Sequence, residues 1–180
     1  MGAMIPSAPP PKNGKFKLES SVKDGEAVFK LHGMVDEDAH FASVLATVKA
    51  NLESLKRVRF DLGGVSHVNS SGIREWLLLL ERLYLAPPIE IVNVSSGFVE
   101  QANMVSNVFS RPGLTVISFA VPFYCEKCES SKTVVVESKA LKQGKQVVIP
   151  DAKCPKCFAA MELDSVEEDY LSVIRKLAGG

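Results

Sequence analysis

The residues with the clearest chemical signature in this chain are its four cysteines, which form two closely spaced pairs. Two residues separate the cysteines within each pair, and residues 129–153 separate the pairs. Neighbouring thiolates can bind one metal ion, and a second pair folded back onto the first completes a tetrahedral ligand set. The sequence therefore predicts a structural Zn²⁺ site formed by Cys125, Cys128, Cys154 and Cys157.

Two other uses of paired cysteines compete with this interpretation. Disulfides are rare in reducing compartments, and a thioredoxin-like redox site needs only one C-x-x-C pair. Four protein ligands leave zinc no open position for water, so the predicted site is structural and not catalytic. Short strands are predicted at Thr133 to Ser138 and Gln146 to Pro150, around a turn at residues 142–145. Such a small hairpin buries too little apolar surface to fold without metal.

A second candidate site is the run Asn-Ser-Ser-Gly at residues 69–72, between a predicted strand and a predicted helix. Apolar and polar residues alternate over residues 58–62, and Gly63 and Gly64 are expected to end that strand. From Ile73 to Leu83 the apolar residues recur at helical spacing. Short polar side chains at a helix start, here those of Asn69, Ser70 and Ser71, can accept hydrogen bonds from unpaired N–H groups. The helix dipole there also favours an anion.

These residues carry a resemblance to a known family. A strand ending in Asp61-Leu62, followed by Val-Asn-Ser-Ser-Gly-Ile at the start of a leucine-rich helix, resembles a STAS domain. The closest pattern is that of the anti-sigma factor antagonists, and the resemblance extends over residues 15–119. In those antagonists a partner kinase phosphorylates the serine two positions before the glycine, which implies phosphorylation of Ser70. They usually have aspartate where this chain has Asn69.

The resemblance implies a non-enzymatic signalling protein whose partner is an ATP-binding serine kinase that doubles as an anti-sigma factor. The expected partner-binding residues are Asn69, Ser70, Ser71, Gly72 and Arg74. The alternative is a STAS adaptor or scaffold subunit of a stress-signalling or membrane-transport complex, without phosphorylation. In that case the serines only cap the helix, and Asn69 favours this alternative.

The rest of the chain supplies the elements of a mixed β-sheet with helices stacked on it. Strands are predicted at 16–20, 27–31, 89–94 and 114–119, and helices at 41–55, 72–83 and 96–109. We divide the chain into a disordered leader with a possible tag remnant (1–14), a STAS-like domain (15–119), a zinc ribbon (120–164) and a C-terminal helix (165–180). Ser165 and Glu168 fit a capping box for that helix.

Composition excludes several classes of function. The 180 residues are 46% hydrophobic, and 21 basic residues balance 21 acidic ones, so nucleic-acid binding is not expected. The chain shows neither a signal-peptide pattern nor an apolar run long enough to span a membrane, which predicts a cytoplasmic protein. It offers no nucleophile–base pair, glycine-rich phosphate loop or paired catalytic carboxylates, so we expect no enzymatic activity.

Overall fold

A computed structural model of the chain describes residues 6–7, 14–139, 142–143, 146–147 and 149–178. Within these ranges a mixed sheet carries three helices, a second sheet carries the cysteines, and a fourth helix follows. The predicted α/β class, with a four-cysteine module and a C-terminal helix, is confirmed. The strands are β1 (Pro6–Ser7), β2 (Lys17–Lys23), β3 (Glu26–Val35), β4 (Arg57–Val68), β5 (Ile89–Val92), β6 (Leu114–Val116), β7 (Ser118–Cys125), β8 (Ser130–Glu137), β9 (Lys142–Gln143), β10 (Gln146–Val147), β11 (Ala152–Lys153) and β12 (Ala160–Leu163). The helices are α1 (Ala42–Asn51), α2 (Ser70–Arg82), α3 (Ser96–Met104) and α4 (Glu167–Ala178).

The first sheet has the strand order β2-β3-β4-β5-β6. Strands β2 and β3 form an antiparallel hairpin, and β3 to β6 are parallel to one another. Parallel neighbours need a crossover connection, which α1, α2 and α3 supply in turn. The sheet therefore buries one apolar face under its helices.

Trp76 of α2 lies at the centre of this buried layer. It is fully buried, and its ring packs edge to face against Phe41, Phe60 and Phe98. Its indole Nε1–H donates a 2.9 Å hydrogen bond to the carbonyl of Val108, so its one polar atom is paired. The helical spacing that places Trp76 on the inner face of α2 thus fixes the core.

The second sheet has the order β1-β8-β7-β12-β11 and is joined to the first through β7. Only Ile117 separates β6 from β7. Val94, two residues beyond β5, forms backbone hydrogen bonds with both Ser118 and Ala120. Apolar side chains from both sheets form one buried cluster. The predicted boundary between residues 119 and 120 falls inside β7, and the strand predicted at 114–119 is divided between β6 and β7.

Helix α4 packs against α3 and β7. Tyr170 is completely buried, its ring meets that of Phe119 edge to face, and its hydroxyl donates to the Ala120 carbonyl at 3.1 Å. Burial raises the pKa of Tyr170. The side-chain amide of Asn103 in α3 donates to the Asp169 carbonyl at 3.1 Å. The helix begins at Glu167 rather than at the predicted capping box, and Val166 is exposed.

Several predicted elements have other bounds in the structure. Strand β4 does not end at Gly63 and Gly64 but continues to Val68. Packing requires Gly64 there, because a Cβ at this position would lie 2.7 Å from the Leu31 carbonyl oxygen and 2.2 Å from His32 Nδ1. Helix α3 ends at Met104, five residues earlier than predicted. The Val108 carbonyl therefore lies outside the helix, where it accepts the hydrogen bond from the Trp76 indole N–H.

The cysteine module also pairs its strands differently from the prediction. Strand β8 pairs with β7, not with the segment at 146–150, and β12 pairs with both β7 and β11. The predicted turn at 142–145 lies partly outside the described residues. Most of the predicted leader also lies outside them, but Pro6 and Ser7 pair with Val134 and Thr133 of β8.

The burial of Tyr170 predicts that α4 stabilises the whole chain. Tyr170→Ala should lower the free energy of unfolding by about 3–5 kcal/mol, and Tyr170→Phe by about 1 kcal/mol through the lost hydrogen bond. Urea denaturation followed by circular dichroism measures both, with Tyr84→Ala as the control because Tyr84 is 74% exposed. An unchanged midpoint for Tyr170→Ala would mean that α4 folds independently, as the division at 164/165 predicts.

Candidate functional site

The first candidate site is the start of α2, and its helix cap is Asn69 rather than a serine. The Asn69 side-chain oxygen accepts a 2.7 Å hydrogen bond from the N–H of Gly72. Ser70 is already the first helical residue, two positions earlier than predicted. The predicted role of the serines as caps is therefore wrong, because one polar side chain immediately before the helix already fills it.

Asn69 also joins this helix start to the loop after β3. Its backbone N–H donates to the Val35 carbonyl at 3.2 Å, and its side-chain amide donates to a Glu37 carboxylate oxygen at 3.3 Å. The pKa of Glu37 is lowered by a hydrogen bond from its own backbone N–H and then by the one from Asn69. An aspartate at position 69 would lose the amide donor and place two carboxylates side by side.

Gly72 also holds the start of α2 in place, by allowing it to pack closely against β3. A Cβ at this position would lie 2.0 Å from the Val35 carbonyl oxygen and 2.4 Å from the carbonyl carbon. Helix α2 therefore meets the end of β3 backbone to backbone, which only glycine permits. Gly72 is buried, so it positions its neighbours and does not itself offer a contact surface.

The other predicted partner-binding residues are accessible. Ser70, Ser71 and Arg74 are exposed, and Ser70 and Arg74 are four residues apart on one helix face. Further along that face lies a cavity of about 500 Å³ between α2 and the segment after α3. Its α2 wall consists of Ile73, Arg74, Leu77, Leu78, Leu80 and Glu81.

The second candidate site is the cysteine cluster, which the structure assembles as predicted. The ligand atoms of Cys125, Cys128, Cys154 and Cys157 all lie within 4.8 Å of one another, and the four thiols are free. Cys128 Sγ lies 3.3 Å from Cys154 Sγ and 3.8 Å from Cys157 Sγ. A tetrahedral ion with Zn–S bonds of about 2.3 Å needs sulfur–sulfur edges of roughly 3.8 Å. The four sulfurs therefore fit a single metal ion.

Each cysteine pair lies at the turn of its own hairpin. The first turn joins β7 to β8, the second joins β11 to β12, and β7 and β12 pair with each other, which brings the turns together. The residue after each second cysteine, Glu129 or Phe158, has a positive φ of 50° or 58°. Both turns thus have a left-handed residue at the same position.

Ser130 contributes to the cluster although it is not a cysteine. Its hydroxyl lies 3.1 Å from Cys128 Sγ and 3.5 Å from Cys154 Sγ. The hydrogen bond from Ser130, followed by one from the backbone of Cys157, lowers the pKa of Cys154 to about 5. Thiolates are the form that binds metal, so this environment favours coordination.

The sequence placed Asn69 among the polar residues at the helix start but suggested the serines as the cap, and it gave no indication of Ser130. The position of Asn69 immediately before the helix is the signal that identifies it as the cap. Ser130 follows Cys128 by two residues, but nothing in a single sequence shows that it also reaches Cys154, because that contact depends on how the two hairpins pair.

No protein-family model matches this chain, and no curated protein sequence matches it. One similar solved structure is that of the anti-sigma factor antagonist SpoIIAA in its unphosphorylated form. The likeness covers 56% of this chain and 86% of that one, with a TM-score of 0.38 and 19% sequence identity. So distant a likeness assigns no function. Among the described residues, no helix is both long and apolar enough to cross a membrane.

Capping by Asn69 predicts an order of stability among three alanine variants. Asn69→Ala should lower the free energy of unfolding by about 1 kcal/mol, the usual value of a lost N-cap. Ser70→Ala and Ser71→Ala should leave it nearly unchanged, because both side chains are exposed and neither is the cap. Thermal denaturation of the three variants measures this order, and a larger loss from either serine would contradict the assignment of the cap.

Close backbone packing predicts that Gly72→Ala is destabilising. Alanine is the better helix former, so in open space this change would stabilise the chain. Here its methyl group meets the Val35 carbonyl, and the expected cost is about 1–3 kcal/mol. Chemical denaturation against Ser71→Ala, a control on the same helical turn, isolates the steric effect. A stabilised Gly72→Ala would show that α2 does not touch β3.

Proposed function

We propose that this chain is a non-enzymatic signalling protein that binds a protein partner through the start and outer face of α2. The observation that supports this most directly is the separation of roles at the helix start. Asn69 and Gly72 hold the helix against β3, while Ser70, Ser71 and Arg74 are exposed. Exposed polar residues on a rigid element are suited to binding, because their presentation costs no ordering of the backbone.

The proposed partner surface continues from Ser70 into the cavity beside α2. Arg74, Leu77, Leu78 and Glu81 line the cavity and share a helix face with Ser70. The two leucines are half-buried, so they offer apolar contact area within a charged rim. This combination of an apolar centre and a polar rim is typical of protein interfaces.

In the resemblance-based proposal the partner is an ATP-binding serine kinase that acts as an anti-sigma factor and phosphorylates Ser70. A phosphate on Ser70 would lie at the positive end of α2 and within reach of Arg74, one turn along. The fold would then tolerate the charge, and the docked partner would be displaced by it. The modification acts on the interface and not on the core.

The alternative function is a scaffold or adaptor that is not phosphorylated. The contact between Asn69 and Glu37 favours it, because this chain uses its asparagine as a structural link. Both proposed functions use the same exposed surface of α2. They are distinguished by incubating the chain with candidate kinases and ATP and then measuring its intact mass. Gain of one phosphoryl group that Ser70→Ala abolishes supports the switch.

We also propose that the cysteine cluster holds one structural zinc ion. Its support is the set of four sulfurs within 4.8 Å and the fully protein-derived ligand set, which leaves no open coordination position. Zinc would join the two hairpin turns where the sheet itself is narrow, since β11 is only two residues long. Its role would be to fix the second sheet.

The switch predicts different effects from two changes at Ser70. Ser70→Asp should weaken binding to a kinase that phosphorylates the chain far more than Ser70→Ala does. An unpaired charge buried against a partner costs several kcal/mol, whereas a lost hydroxyl costs about 1 kcal/mol. Titration of both variants by calorimetry measures the difference.

Thermal denaturation of the same proteins is the control for that titration. Ser70→Asp should keep the wild-type melting temperature or raise it slightly, because an anion at a helix N-terminus contributes about 0.3–1 kcal/mol to stability.

A third variant, Asn69→Asp, restores the residue that is usual in the antagonists and should raise the phosphorylation rate. Equal binding by wild type, Ser70→Ala and Ser70→Asp would exclude the switch.

The zinc site predicts about one equivalent of metal per chain in protein purified without added zinc. Cys154→Ser should reduce this well below half an equivalent, while Lys156→Ala, an exposed residue between the same two cysteines, should keep the metal. Mass-spectrometric metal analysis gives the stoichiometry, and circular dichroism shows whether α1 to α3 remain folded in Cys154→Ser. Full metal content in Cys154→Ser would contradict the four-sulfur site.

A further inference from the structure

The side of α2 that faces away from the core carries leucines as well as charges. Four residues recur there at spacings of three and four, which places them on one side of the helix, opposite its buried face. They are Arg74, Leu78, Glu81 and Leu85, with Leu77 beside Leu78. Leu77 and Leu78 are half-buried, and Leu85, just beyond the helix, is 64% exposed. Because the outer side of a surface helix is normally polar, these leucines indicate an interface.

The charges on this face are arranged symmetrically about its centre. Arg74 lies three residues before Leu77, and Glu81 lies three residues after Leu78. Both charged side chains are exposed, and neither forms an ion pair within the described part of the chain. If two α2 helices lie antiparallel about a two-fold axis between Leu77 and Leu78, Arg74 of each copy meets Glu81 of the other copy. A parallel pair would bring like charges together, so the pattern favours the antiparallel arrangement.

Helix geometry allows both of these ion pairs to form at once. The seven residues from Arg74 to Glu81 span about 10.5 Å of helix, so each pair would lie about 5 Å from the two-fold axis. Packed helices cross at about 20° to 50°, which at that distance moves the helices apart by only a few ångströms. The cavity beside α2, which Leu77 and Leu78 line, provides space for the leucines of the second copy.

We propose that this face of α2 binds a second copy of the chain, so that the protein forms a symmetric dimer through antiparallel α2 helices. Leu77 and Leu78 of both copies would form the centre of the interface, with an ion pair between Arg74 and Glu81 on either side. The occupant is a second copy because the charges of this face complement themselves under a two-fold rotation. The dimer would cover the surface proposed above for a signalling partner, which would therefore compete with self-association. It depends on α2 alone, so failure of the proposed signalling function would leave it standing.

Sedimentation equilibrium of the full chain over about 1 µM to 1 mM, the range of moderate to weak dissociation constants, tests the proposal. The wild-type chain should dimerise within this range. Arg74→Glu and Glu81→Arg should each raise the dissociation constant about 10-fold or more, because either change turns two attractive pairs into two repulsive ones. Lys49→Glu makes the same change of charge as Arg74→Glu at an exposed position of α1, and this matched control should dimerise as wild type does.

The double variant Arg74→Glu/Glu81→Arg distinguishes the antiparallel pairing from any other dimer. It exchanges the two charges and re-forms both ion pairs, so it should dimerise as wild type does, whereas each single variant should not. Thermal denaturation of dilute samples shows that the variants remain folded, which is expected because both side chains are exposed. Three results would each overturn the proposal: a wild-type chain that stays monomeric throughout the concentration range, equal dissociation constants for Arg74→Glu and Lys49→Glu, or a double variant that dimerises as weakly as the single ones.

Discussion

The backbone of β7 is the connection on which the rest of this structure depends. Its first residues form backbone hydrogen bonds with Val94, two residues beyond β5. Along its whole length it pairs with β8 on one side, and near its end it pairs with β12 on the other. Both cysteine hairpins are therefore attached to the first sheet through one strand. Because Phe119 and Ala120 in that strand also receive Tyr170, β7 holds α4 as well. The two domains predicted from the sequence, residues 15–119 and 120–164, therefore contribute to a single apolar core in the structure.

At the start of α2, residues that hold the helix in place lie next to residues that are exposed to solvent. Position 69 provides the cap and position 72 provides the space for backbone contact, so both are fixed by local geometry. Ser70 and Ser71, between them, neither cap the helix nor pack against β3, and both are exposed to solvent. A change of charge at Ser70 would therefore alter the surface without altering the packing beneath it.

Sequence patterns predicted what depends on local spacing. The apolar face of α2 is buried at Ile73, Trp76 and Leu80, and the cysteine spacing gave the cluster correctly. Predictions that depend on distant pairing were less accurate. Gly64 was expected to end β4 because glycine weakens a strand interior. In the structure it instead leaves room for the Leu31 carbonyl and the His32 ring of the neighbouring strand. Likewise, no local pattern reveals that β8 pairs with β7.

The backbone at the cysteine turns shows what a metal would impose on this fold. Glu129 and Phe158 adopt left-handed conformations that cost a non-glycine residue about 1–2 kcal/mol, and Phe158 is also 77% exposed. Neither burial nor intrinsic preference explains these conformations. Each follows the second cysteine of a pair and turns the chain back into a strand while both sulfurs point to one centre. Binding of a structural zinc ion, worth about 10–16 kcal/mol in small peptides, would exceed that strain several-fold. The left-handed residue in each turn is therefore what convergence of the four sulfurs on one ion would require.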